Sequence, residues 1–211
     1  MVYKNLRIEF EKVGALKFIS HLDLCRTMRE AFNRGKIPVG YSEGFNPHPK
    51  MTFALPLSVG CESVCELMDI KVPEDTDPDI VASSLDAVTA PGLRFKRAYF
   101  PDSKFNDVAA AKYRVVFSAD TNMQMLAQIL ENPDKITKTS KKGVEKTVDI
   151  KPMIYDYEIL GDKEIVVTLA ASPDNYLNPA ALCDMLIKSD PDGDYAVTRL
   201  AIIDKNGDNF R

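Results

Sequence analysis

A repeated change of hydrophobic period constrains this chain most. Residues 3–11 alternate around Leu6, Ile8 and Phe10, as a half-buried strand does. Residues 21–34 then place Leu24, Cys25, Met28, Ala31 and Phe32 on one helical face, with Arg26, Arg29 and Asn33 on another. Ser20 is positioned to cap that helix, Asp23 follows three residues on, and Gly35 stops it. An extended run at 37–41 leads into a loop at 42–50 rich in Gly and Pro. Strands are expected at 51–57 and 64–72, then a helix opened by Asp77-Pro78, then a strand at 93–100.

The second half repeats the order without repeating residues. A strand is expected at 112–119, then a helix capped by Asp120 or Thr121. A polar hairpin follows at 136–150, turning at Lys141-Lys142-Gly143. A second hairpin spans 153–171, a helix opens at Asn178-Pro179, and the last strand covers 195–204. Both halves therefore read β-α-β-β-α-β. The expected fold is α+β: two ferredoxin-like (split βαβ) units in tandem, antiparallel sheets with helices on one face. The expected boundaries are 1–101 and 111–211, the second unit carrying an inserted polar hairpin at about 135–150. One continuous mixed sheet is the alternative.

Composition narrows the function classes. With 45% hydrophobic and 27% charged residues, the chain is neither disordered nor collagenous. No apolar run approaches the roughly 18 residues of a membrane span, and residues 1–10 lack a signal-peptide core, so a cytoplasmic location is expected. The four cysteines, Cys25, Cys61, Cys65 and Cys183, then read as reduced thiols, small and buried. They contain no C-x3-C-x-x-C triplet, so the chain cannot by itself build a radical-type iron–sulfur cluster, and no cofactor is expected. Phosphate-loop, dinucleotide and nucleophile-elbow motifs are absent too.

Charge is unevenly spread. The net charge is −4, yet residues 1–50 carry nine Lys/Arg against five Asp/Glu, so +4. Residues 135–151 carry six Lys against two Asp/Glu, also +4, a candidate second contact arm. The basic first segment holds both histidines. His21 lies at a helix start, where unpaired N–H groups favour anions; His48 lies between Pro47 and Pro49, which stiffen its backbone. Three readings arise. A recognition surface would use Lys17, Arg26, Arg29, Arg34, Lys36 and Lys50 for phosphates, with Phe18, Tyr41 and Phe45 as stacking faces or else as core. A metal-dependent or His-based hydrolase or nuclease would use His21, Asp23 and His48, with the histidines as the catalytic candidates. A protein docking module needs neither. The two histidines share a site directly only if 37–41, rather than 51–57, is the second strand.

The segments Leu16-Lys17-Phe18-Ile19-Ser20-His21-Leu22-Asp23-Leu24 and Gly44-Phe45-Asn46-Pro47-His48-Pro49-Lys50 carry a resemblance. With their surroundings over residues 1–72 they resemble the bacterial radical-SAM-linked domain of unknown function. That domain is found alone or fused C-terminally to cobalamin-binding radical-SAM proteins. The second half is similar only in element order and in Val197-Thr198-Arg199. The resemblance implies a separately encoded radical-SAM partner but supplies no established reaction. Its gene neighbourhoods, and the similarity of a doubled split βαβ to RNA-binding CRISPR endoribonucleases, hint at RNA. The expected function is an accessory module, not itself an enzyme, that binds RNA or an RNA-containing substrate and presents it to a partner. The expected substrate-binding residues are Lys17, Ser20, His21, Asp23, Arg26, Arg29, Gly44, Phe45, Asn46, His48 and Lys50.

Overall fold

The computed structural model describes residues 2–118, 123–139, 145–188 and 193–211. It is a mixed α+β protein with mostly antiparallel sheet and, among the described residues, four α-helices. The chain divides into two compact units: residues 1–108 together with Asn209–Arg211, and Ala109–Asp208.

In the first unit the order is β1 (Tyr3–Lys12), α1 (His21–Arg34), β2 (Met51–Phe53), β3 (Glu62–Pro73), α2 (Pro78–Val88) and β4 (Leu93–Tyr99). The strands lie in the order β4-β1-β3-β2, all antiparallel. Alternation sends Leu6, Ile8 and Phe10 of β1, and Met68, Ile70 and Val72 of β3, to one face. There they pack with Leu24, Met28, Ala31 and Phe32 of α1 and with Val81, Ala82 and Leu85 of α2. Both helices thus cover one side of the sheet. Asn5, Arg7, Asp69 and Lys71 fall on the other side. Gly92, at φ +95°, lets the turn before β4 close on Val13; a Cβ there would stand 2.6 Å from the Val13 carbonyl oxygen.

Several expected boundaries shift for identifiable reasons. β2 stops at Phe53 rather than reaching 57: Ala54 still donates to the Leu67 carbonyl, and the chain bends away at residues 54–55, ahead of Pro56. Residues 37–40 form no strand: Gly40 donates to the Lys71 carbonyl and accepts from Lys50, and Tyr41 makes one bridge to Pro49. α1 ends at Arg34 as expected, but the left-handed residue after it is Lys36 (φ +52°), while Gly35 stays helical.

The second unit runs β5 (Val108–Phe117), α3 (Met123–Glu131), β6 (Ile136–Thr139), β7 (Glu145–Val148), β8 (Ile154–Ile159), β9 (Glu164–Ala170), α4 (Pro179–Leu186) and β10 (Tyr195–Asp204). Its strand order is β10-β5-β9-β8, and β6 and β7 form a separate hairpin. β5 begins four residues before the expected 112. Its Ala109-Ala110-Ala111 run has weak strand propensity, but Ala110 pairs with Ala170 and Ala111 with Leu169. The expected caps Asp120 and Thr121 and the Lys141-Lys142-Gly143 turn lie outside the described residues. No helix among the described residues is long and apolar enough to cross a membrane.

Candidate functional site

The start of α1 is fixed by local chemistry. The Ser20 hydroxyl accepts from the Asp23 backbone N–H (3.1 Å) and donates to the Asp23 carboxylate (2.7 Å). The other Asp23 oxygen accepts from Arg26 at 2.8 Å. The Ser20 hydrogen bond, then the Arg26 guanidinium, hold the Asp23 carboxyl below its usual range. A lowered pKa stabilises the fold fully above the ordinary value of 3.8, and this contribution disappears as pH falls through the folded value. Ser20→Ala is expected to raise the Asp23 pKa toward 3.8, read by carboxyl NMR titration. Loss of the cap itself is expected to cost about 1 kcal/mol in urea unfolding.

His21 projects from the first turn of α1. Its ring meets Phe53 of β2 edge-on, with centroids 5.0 Å apart. Its Nε2 lies 3.7 Å from the Cys25 thiol one turn later. His48 sits on the loop between α1 and β2. Ser42 donates its N–H to the His48 carbonyl (2.8 Å), and the His48 N–H donates to the Ser42 hydroxyl (3.1 Å). The same hydroxyl lies 3.0 Å from Nδ1. The loop stem is therefore closed on itself, and the imidazole is held by one nitrogen.

A cleft of about 760 Å3 opens beside this loop. Cys25 and Arg29 of α1 form one side, His48, Pro49, Lys50, Met51 and Thr52 another. Asn5, Asp69 and Lys71 contribute from β1 and β3, and Ser103, Lys104, Phe105 and Asn106 from the segment after β4. Strand register explains the grouping. Asn5 stands opposite Lys71, and Asp69 stands between Arg7 and Thr52. Arg29, Lys50, Lys71 and Lys104 form no ion pair among the described residues. The carboxylate that lines the cleft, Asp69, gives both oxygens to Arg7 at 2.8 and 2.9 Å.

Arg7 is fully buried behind this wall. It donates to the Ser103 hydroxyl (2.7 Å) and carbonyl (3.0 Å) and to the Arg211 carbonyl (2.8 Å). Its guanidinium lies 4.3 Å from the Phe105 ring centre and 5.0 Å from that of Phe210. Arg7 thereby ties Ser103 and Phe105, which line the cleft, to the sheet.

Of the residues singled out in the sequence, Arg29, His48 and Lys50 meet in the cleft. Lys17, Ser20, His21, Asp23, Arg26, Gly44, Phe45 and Asn46 do not line it. Lys17 lies over the Phe18 ring at 5.2 Å. His21 borders a separate small void with Lys12, Phe53 and Glu66. The second strand is β2, so loop 42–50 folds back: His48 lines the cleft, His21 borders the separate void, and Cys25, which touches His21, lines the cleft. Cys25 and Cys65 are half-buried rather than core residues; Cys61 and Cys183 are buried. Burial pushes the Cys25 thiol up, against the pull of Arg29. No group of three or more His, Cys, Asp or Glu residues spaced to hold a metal occurs among the described residues. Phe18, Tyr41 and Phe45 are exposed, so none of them is core. Lys71, Lys104 and Asn106 gave no sequence signal; only register and the path of the chain after β4 bring them to the cleft.

No curated protein matches the sequence. Among solved structures, a Cbf5-Nop10-Gar1 complex is similar at 10% identity and a TM-score of 0.48, covering 93% of this chain and 48% of that one. The chain thus spans about half the length of that relative. An unknown protein from Galdieria sulphuraria is similar at 9% identity and a TM-score of 0.27, covering 94% and 99% of the two chains. Residues 5–179 match a family model described as an uncharacterized protein conserved in bacteria, and the chain belongs to that family, DUF2344.

Proposed function

We propose that this chain is a recognition module that binds RNA, or an RNA-containing substrate, in the basic cleft and presents it to a partner enzyme. The observation that carries this reading is the charge of the cleft. Four cations from four segments converge on it without a free carboxylate to neutralise them. Elsewhere in the unit, Lys4, Arg26, Arg94, Lys96 and Arg97 are paired with carboxylates; Lys17, Arg34 and Lys36 are in no ion pair among the described residues, but they do not line the cleft. Unpaired cations held close together repel one another, and an arriving phosphate relieves that cost. Asn5, Thr52 and Asn106 add neutral hydrogen-bonding groups. The partner, a radical-SAM protein encoded separately, comes from the sequence resemblance.

A hydrolase centred on His21, Asp23 and His48 has less support, because Asp23 is committed to Ser20 and Arg26. Docking on a protein is the second reading, favoured by the exposed Phe18, Leu22 and Val59. The deciding measurement is anisotropy of a labelled single-stranded oligoribonucleotide over a salt series. Four phosphate contacts predict a log–log slope of roughly −3, since each contributes about −0.7 on a single strand. No binding at low salt, with co-purification of a protein partner free of RNA, would replace this reading with the docking one.

A further inference from the structure

Beside the cleft stands a feature that the fold does not need. The Phe45 ring is fully exposed and lies outside the hydrophobic core cluster of the first unit. Water disfavours such a ring, so a side chain placed this way gains most from a partner that covers it. Its support is firm. The Tyr41–Pro49 bridge, the two Ser42–His48 hydrogen bonds and the Lys50-to-Gly40 bond close the stem of the loop. Gly44, at φ +117° and with open space around it, makes the turn that presents the next residue. Pro47 and Pro49 restrict the descending arm. Phe45 is three residues from His48, so the two backbones are at most about 11 Å apart. An exposed aromatic on a closed loop stem therefore lies on the same loop as two residues of the basic wall, His48 and Lys50.

We propose that Phe45 is a stacking platform for an unpaired base of a strand whose phosphates lie in the cleft, so that the ligand is single-stranded. This rests on the RNA reading above and narrows it. A base within a duplex has both faces covered by its neighbours; an unpaired base offers a face to an aromatic side chain. The unpaired cations hold backbone, and the exposed ring takes the base.

The protein has no tryptophan, so Phe45→Trp in the full chain supplies a single reporter at the platform. Titration with an eight-nucleotide oligo(A) is expected to quench its emission, and a blunt oligo(A)–oligo(U) duplex is expected not to. Phe45→Ala is expected to weaken oligo(A) binding on the order of tenfold, with Phe45→Trp restoring it. Oligo(A) binding that depends on Arg29 and Lys50 but leaves the emission and the Phe45→Ala affinity unchanged would overturn the platform and leave the cleft standing. Equal quenching by the duplex would overturn the single-strand assignment. No oligo(A) binding by the unaltered protein at low salt would remove the RNA reading, and the platform with it.

Discussion

Arg7→Met is expected to destabilise the first unit by about 3 kcal/mol, read as a lower urea midpoint. The reason lies in what is left behind. Arg7 is fully buried, and the Asp69 side chain is only 15% exposed. Removing the guanidinium strands that carboxylate, and the carbonyls of Ser103 and Arg211 each lose a charged donor. Phe105 and Phe210 lose the cation that packs over both rings. Arg7→Lys is not a conservative repair, because an ammonium cannot bridge both Asp69 oxygens in the geometry of the fork. Arg7→Met combined with Asp69→Leu is expected to recover part of the loss, since no charge is then left unpaired. A double variant no more stable than Arg7→Met would show that the tie to Ser103 and Arg211, rather than the ion pair, carries the effect. Because Ser103 and Phe105 line the cleft, Arg7→Met is also expected to weaken RNA binding under conditions where the protein remains folded.

The second large effect concerns the cleft itself. Lys50→Glu with Lys71→Glu is expected to lower affinity for a single-stranded oligoribonucleotide about a hundredfold at low salt. Each lost phosphate contact and each added repulsion is worth about 1 kcal/mol or somewhat less in a solvated cleft, and 2.7 kcal/mol is a factor of a hundred. The log–log salt slope is expected to fall in magnitude by roughly 1.4, two contacts at about 0.7 each. Arg34→Glu with Lys36→Glu makes the same change in net charge on residues that do not line the cleft. An equal loss in that control would mean that overall charge, and not the cleft, holds the RNA. Both pairs sit on partly or fully exposed positions, so little change in stability is expected from either.

The sequence specified most local structure because the signals there are local. Ser20 and Asp23 declare the start of α1, and Asp77-Pro78 declares that of α2, through groups within three residues of each other. The alternation of β1 and the helical face of α1 required only that apolar residues find one core. Where propensity and pairing disagreed, pairing prevailed: β5 runs back through three alanines because Ala170 and Leu169 of β9 stand opposite them. β2 is shorter than its apolar run, because pairing with β3 ends where the chain bends after Phe53.

The site divides in the same way. Arg29, His48 and Lys50 were legible because one short stretch of chain carries them together with three prolines and three glycines. Their joint position was not legible, and neither was the separation of the two histidines. That depended on which segment paired with β3, a contact between residues far apart in sequence. Lys71, Lys104 and the Arg7 tie are of the same kind: Arg7 meets Asp69 at a separation of 62 residues and Ser103 at 96. Periodicity and capping act over a few residues, so the sequence alone could specify the elements and the basic character of the first segment. Which charges face one cleft, and which are neutralised by a partner, is set by register and burial across the whole unit, and only the tertiary structure decides it.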